Sequence, residues 1–291
     1  MDLDRRRFLA GAAAVAAPLT SAVAAAGGRI PAIGMGSWLT FDVGGDVAAE
    51  AVRIEVLRAF FAGGGRLIDS SPMYGSSQAV IGRALAALGR TEDCFAADKV
   101  WTPGGEDGPA QIERSRRRWG VARFDLLAVH NLVDWPRHLA TLFAMKAEGR
   151  LGHVGVTTYA GLRHDEVERI LRTEPIDFVQ LTYNVVDREA EARLLPLARE
   201  KGVGVIANRP FREGALTRRA AGRPAPDFAA EIGAASWPQL LLKFIIAHPA
   251  VACAIPATRR VDHMQENMAA LAGPHPDDDL RRRIAAAFAA L

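Results

Sequence analysis

Four side chains in this sequence share a possible chemistry: Asp69, Tyr74, Lys99 and His130. Asp69 closes the apolar run Arg66-Leu67-Ile68-Asp69, and Tyr74 follows a turn through Ser70, Ser71 and Pro72. That is the pattern of a short buried strand leaving into polar groups. Lys99 and His130 lie near the ends of two later apolar runs, residues 95–100 and 126–130. A carbonyl that receives hydride becomes an alkoxide and needs a proton, which free tyrosine, with pKa ~10, gives up reluctantly near neutrality. An ammonium about 4 Å away, at an effective dielectric near 20, favours the phenolate by ~4 kcal/mol and pulls the phenol toward ~7. A buried lysine alone tends to lose its proton, and a carboxylate beside it, Asp69, keeps it charged. His130 can then hold the carbonyl oxygen. Singly, each residue also has an ordinary reading: a capping Asp, a packed Tyr, a solvated Lys, a satisfied core His. Their joint placement argues for a site.

The elements that must position these groups alternate along the chain. Strands are predicted at residues 32–35, 66–69, 95–100, 126–130, 153–157, 178–183, 204–207 and 252–255. Amphipathic helices are predicted at 48–62, 78–88, 109–119, 136–148, 164–171, 189–201, 237–247 and 261–271, with a last one from 280 to 291. Eight strands each followed by a helix predict an α/β fold, a (β/α)8 TIM barrel, with one additional C-terminal helix. An open doubly wound sheet is the competing fold, but Gly34-Met35-Gly36-Ser37-Trp38 lacks the third glycine of its usual fingerprint. Such barrels keep their active sites at the C-terminal ends of the strands, where Asp69, Lys99, His130, Thr157, Thr158, Gln180 and Asn208 recur. The connection 211–236 leaves the seventh strand on that side and reads as a flap or a surface loop.

The chain has 291 residues, 49% hydrophobic and 24% charged, a composition that suits one barrel domain. A net charge of +3 gives no case for nucleic acid, and the arginine runs 114–118 and 281–283 read as solvated helix faces. The two cysteines, Cys94 and Cys253, show neither a metal spacing nor a disulfide framework. No metal pattern and no Gly-x-Ser-x-Gly elbow supports hydrolysis. The N-terminus differs from the rest. Arg5-Arg6-Arg7-Phe8-Leu9, an Ala-rich run and a small-residue close through Ala24-Ala25-Ala26 describe a secretory signal. Paired arginines followed by Phe-Leu resemble the twin-arginine export signal, which makes the export machinery a partner and the periplasm or exterior the destination. Residues 1–26 are therefore expected to be the signal and 27–291 the barrel domain. The apolar run is too short to form a stable membrane anchor.

Asp69-Ser-Ser-Pro-Met-Tyr74-Gly75, Asp98-Lys99-Val100, Leu126-Leu127-Ala128-Val129-His130, Gly155-Val156-Thr157-Thr158, Val179-Gln180-Leu181-Thr182-Tyr183-Asn184 and Ile255-Pro256-Ala257-Thr258 with Glu266-Asn267 together resemble the aldo-keto reductase family. The resemblance implies a nicotinamide-dependent reductase of small carbonyl substrates. It makes Asp69, Tyr74, Lys99 and His130 the catalytic tetrad, with Tyr74 the general acid. It puts Thr157, Thr158 and Gln180 on the nicotinamide carboxamide, and Ser37 and Trp38 on cofactor and substrate. Trp38 and Trp101 are expected to line the substrate mouth. Where family members usually end the seventh strand in an aromatic residue stacked on the nicotinamide, this chain has Asn208-Arg209-Pro210, so stacking is lost or falls to Phe211. His263 stands where an arginine often grips the adenosine 2′-phosphate. Arg259 and Arg260, beside Thr258, can supply that cation, which favours NADP(H) over NAD(H). An alternative is an exported NADP(H)-binding sensor or scaffold with little turnover.

Overall fold

The computed structural model describes residues 30–291. The expected export signal lies outside the described residues. Eight strands, β1 (Met35–Gly36), β2 (Leu67–Asp69), β3 (Phe95–Val100), β4 (Phe124–Val129), β5 (Leu151–Thr157), β6 (Phe178–Thr182), β7 (Gly204–Asn208) and β8 (Val251–Ala254), pair in chain order. Every paired neighbour is parallel. The ring closes ahead of β1: Gly34 N donates to Ala254 O at 2.9 Å and Ala254 N to Ala32 O at 2.8 Å. A Cβ on Gly34 would come within 2.9 Å of both Leu67 O and Cys253 Sγ, so this seam needs glycine to bring the backbones together. The predicted first strand thus shrinks to two residues, because 32–34 serve as the closing bridge.

The helices are α1 (Val47–Ala62), α2 (Ser77–Leu88), α3 (Gly108–Trp119), α4 (Trp135–Ala147), α5 (His164–Thr173), α6 (Leu194–Glu200), α7 (Ala215–Arg219), α8 (Trp237–Ile246), α9 (Val261–Ala269) and α10 (Asp278–Ala289). Side-chain oxygens cap three of them: Asp46 for α1, Ser236 for α8 and Asp277 for α10. The predicted helix over 189–201 divides into a 3-10 turn, Glu189–Glu191, and α6.

Period-two alternation assigns each strand residue a face. Leu67, Phe95, Ala97, Leu126, Phe178 and Ile206 fill the barrel interior. Ile68, Ala96, Leu127, Val179 and Val205 instead pack under the helices. Burying each of the larger side chains contributes ~1.5–3 kcal/mol. Continuing the inward parity toward the strand ends brings Asp69 after Leu67, Lys99 after Ala97, His130 after Leu126 and Ala128, and Gln180 after Phe178. The apolar interior gives way to polar groups at one end of the barrel only.

Two expectations change. Residues 211–236 are not a plain loop: they carry α7 and a 3-10 segment, Asp227–Ile232. Arg281 is not on a solvated face. It is buried, its guanidinium hydrogen-bonds the Tyr183 hydroxyl and Glu191, and it lies over the Phe244 ring at 4.7 Å. That network ties α10 to the segment that follows β6. Strained backbone gathers around the site. The non-glycine residues with left-handed φ, among them Leu39, Asn131, Ala160 and Arg209, follow β1, β4, β5 and β7.

Candidate active site

The C-terminal end of the barrel opens into a cavity of about 1000 Å³. Asp69, Tyr74, His130, Thr157 and Gln180 line it, with Ser37 and Trp38 from the segment after β1. Beneath them Lys99, 1% exposed, donates to Asp69 Oδ2 at 2.6 Å and to Ser70 O at 2.7 Å. Its Nζ stands 5.1 Å from the centroid of the Tyr74 ring. The second oxygen of Asp69 accepts from Gln180 Nε2 at 2.7 Å. The His130 ring meets the Tyr74 ring edge-on at 5.7 Å, with an interplanar angle of 85°. The four residues expected to act together are therefore gathered in one place.

Their electrostatics depart from the sequence expectation at one point. Burial drives the Tyr74 phenol above its ordinary pKa. The charge of Lys99 and its hydrogen bonding pull the other way, and Asp69 adds to the rise. Desolvation wins, so the expected drop toward neutrality does not occur, and the phenol holds its proton. Burial also pulls the Lys99 ammonium down, but Asp69 and Tyr74 outweigh it and leave Lys99 above its ordinary value. The pair is a charged lysine beside a protonated phenol. His130 is pushed down to about 2 by burial and then by the Lys99 charge, so its ring is neutral.

The residues expected to hold the cofactor divide into free and occupied groups. Ser37 Oγ is buried with no hydrogen-bond partner among the described residues and lines the cavity. Thr157 also lines it. Thr158 is not among the lining residues; its hydroxyl donates to Leu162 O at 2.5 Å. Asn208 lines the wall with both ends of its amide engaged, accepting from Thr182 Oγ1 at 2.6 Å and donating to Thr158 O at 2.8 Å. It knits three strand ends together and has no ring to stack. Pro210 and Phe211 line the same wall, and Phe211 is the aromatic group there. Arg209 is paired with Glu213 at 2.5 Å.

Thr258, Arg259, Arg260, His263, Glu266 and Asn267 all reach the cavity, at the end toward α9. Arg260 is paired with Asp262 at 2.5 Å, and the Thr258 hydroxyl accepts from Arg260 N at 3.1 Å. The guanidinium of Arg259 forms no ion pair or side-chain hydrogen bond among the described residues, and that of Arg223, from the connector, is the same. Trp38 stands 6.5 Å from Tyr74. Trp101 is not among the lining residues, but its ring lies 6.4 Å from His130. Sequence reasoning missed Met73, Asn131, Tyr159 and the connector residues Arg218 and Arg223, all of which line the cavity. It also missed Ser71, whose hydroxyl lies 2.8 Å from His130 Nδ1. Ser71 and Met73 had a local signal, their place inside the Asp69–Tyr74 turn.

A sequence profile of the Aldo/keto reductase family matches residues 32–286, and the chain belongs to that family. Methylglyoxal reductase YeaE of Escherichia coli (strain K12) is 30% identical over 252 residues, spanning 83% of this chain and 86% of that protein. The NADH-specific methylglyoxal reductase of the same strain is 27% identical over 218 residues, 64% of this chain and 65% of its own. An aldo/keto reductase from Klebsiella pneumoniae, solved in complex with NADP and acetate, superimposes with a TM-score of 0.75 at 24% identity, covering 89% of this chain and 92% of that one. The protein is an NAD(P)H-dependent oxidoreductase on a (β/α)8 barrel.

Proposed function

We propose that this chain reduces an aldehyde or ketone to an alcohol, with Tyr74 giving the proton. The observation that carries this reading is the buried Lys99–Asp69 pair, 2.6 Å apart, directly beside the Tyr74 ring at the floor of the cavity. The cavity fits a dinucleotide in its chemistry. Among the described residues, Ser37 offers a buried hydroxyl without a partner, and Arg223 and Arg259 offer cations without carboxylates. Bound reduced nicotinamide would supply the hydride. The chain's own residues would do the rest. His130 would hold the carbonyl oxygen near Tyr74. The phenol would protonate the oxygen as negative charge develops on it, and the ammonium would stabilise the phenolate left behind. Asp69 would keep the ammonium charged throughout. Methylglyoxal, the substrate in two relatives' names, belongs in the first panel of carbonyls.

Turnover is followed by loss of reduced-nicotinamide absorbance with methylglyoxal, an aromatic aldehyde and a simple ketone. Wild type is expected to turn over at least one of them. Tyr74→Phe, folded and still binding cofactor, is expected to be at least ~100-fold slower. Undiminished turnover in Tyr74→Phe would sink the reading. The same assay run with both cofactors tests the preference for NADPH. The unpaired Arg259 is suited to a 2′-phosphate, so Arg259→Ala is expected to raise the KM for NADPH ~10-fold and leave that for NADH nearly unchanged. Equal effects on both would remove the case for preference.

Export is proposed separately, on Arg5-Arg6-Arg7-Phe8-Leu9 and the small residues after it. Mass spectrometry of the natively purified protein should find a new N-terminus after Ala24 or Ala26. An intact Met1 would count against it.

A further inference from the structure

His130 is neutral, so it exists in one of two tautomers, and only the form with hydrogen on Nε2 can donate to a carbonyl oxygen from that atom. The ring needs a group that chooses between them. Ser71, fully buried in the turn between Asp69 and Tyr74, has two neighbours at its hydroxyl among the described residues: Met73 N, which donates to it at 3.2 Å, and His130 Nδ1 at 2.8 Å. If Ser71 Oγ accepted from both, its own hydrogen would be left buried without an acceptor. Only one assignment pairs every hydrogen: the Met73 amide donates to Oγ, and Oγ donates to Nδ1. Nδ1 is then the acceptor and Nε2 carries the hydrogen. No partner for Nε2 is present among the described residues, and His130 lines the cavity between the Tyr74 and Trp101 rings.

We propose that Ser71 is a positioning residue, which relays the Met73 amide into His130 Nδ1 and so fixes the imidazole with its Nε2 hydrogen facing the substrate cavity. This rests on the carbonyl-reducing reading of the site, but its test does not need turnover. The turn places the device economically. One short segment delivers the carboxylate of Asp69, the tautomer-setting hydroxyl of Ser71 and the phenol of Tyr74.

Long-range proton–nitrogen correlation spectra of protein labelled with nitrogen-15 histidine read the tautomer directly, with His130→Asn identifying the signal. Wild type is expected to show Nδ1 as a bare, hydrogen-bonded acceptor nitrogen and Nε2 as protonated. In Ser71→Ala, Nδ1 is expected to lose the hydrogen-bonded shift, and kcat for a carbonyl to fall ~3- to 10-fold, as one hydrogen bond is lost. The KM for NADPH should not move. Ser71→Thr, which keeps the hydroxyl, is expected to restore the wild-type nitrogen pattern. A proton on Nδ1 in wild type, or an unchanged Nδ1 signal in Ser71→Ala, would overturn the assignment. A wild type with the expected tautomer but no turnover would support the role of Ser71 and count against the reductase reading instead.

Discussion

Lys99 on β3 is flanked by two carboxylates, and the two faces of that strand treat them differently. On the inner face Asp69 meets the ammonium at 2.6 Å and takes a second hydrogen bond from Gln180 at 2.7 Å. On the outer face Asp98, 1% exposed beneath α2 and α3, has only neutral donors among the described residues. Gln78 Nε2 reaches it at 2.7 Å, Trp119 Nε1 at 2.9 Å and the Lys99 amide at 2.8 Å. Burial pushes Asp98 up to about 7, and its hydrogen bonds and the Lys99 charge only partly offset this. A direct cation partner maintains a charge needed for chemistry, whereas neutral donors hold a buried carboxyl whose charge is still expensive. The difference separates a site built for reaction from a packing contact that happens to titrate.

The largest effect should come from the inner face. Lys99→Met leaves Asp69 buried without its cation, which is expected to cost ~3–5 kcal/mol in urea unfolding. It should also cost at least ~100-fold in kcat. A loss of stability near zero would show that Asp69 does not depend on the ammonium. The next effect belongs to the outer face and has a definite sign. The folded pKa of Asp98 is raised from 3.8 to about 7, so the folded chain holds a proton that the unfolded chain has lost. That contribution to stability is full below about 4 and disappears as pH rises through about 7. At ~1.4 kcal/mol per pH unit it amounts to a few kcal/mol. Unfolding free energies at pH 5 and pH 8 should therefore diverge in wild type by more than in Asp98→Asn, with kcat little changed. Parallel pH dependences in the two proteins would erase the contrast between the faces. The smallest effect is expected from Trp119→Phe, which removes one neutral donor from Asp98. It should cost ~1–3 kcal/mol, most of it above pH 7 where the carboxyl is ionised, and leave kcat unchanged. A large loss of activity there would mean that the outer face feeds the reaction.

Much of the barrel was legible because its signals are local. Periodicity gave β3 its observed bounds and brought the other strands and most helices within a few residues. Asp69, Tyr74, Lys99 and His130 were readable because strand-end polar groups follow apolar runs, and parallel strands bring those ends together. What escaped depended on burial and on side-chain partners, several of them far away in sequence. The acidity of Tyr74 was misjudged because burial, which spacing does not reveal, outweighed the ammonium. Thr158 and Asn208, expected to touch the cofactor, have side chains that hydrogen-bond Leu162, Thr182 and a backbone carbonyl, which spacing does not show. Arg281 lay in what read as a solvated basic run, and its partners sit just after β6 and in the 3-10 turn that follows, about ninety positions earlier.

The most direct test of the inner face follows the atoms themselves. Wild type and Tyr74→Phe are loaded with NADPH carrying deuterium at its reactive carbon and mixed with a carbonyl that wild type turns over. The alcohol is then read by mass spectrometry over time. Wild type should deliver one deuterium to the former carbonyl carbon, and Tyr74→Phe, holding cofactor equally well, should do so at least ~100-fold more slowly. Label arriving at the same rate in both proteins, or never arriving in wild type, would contradict the role given to the phenol beside Lys99.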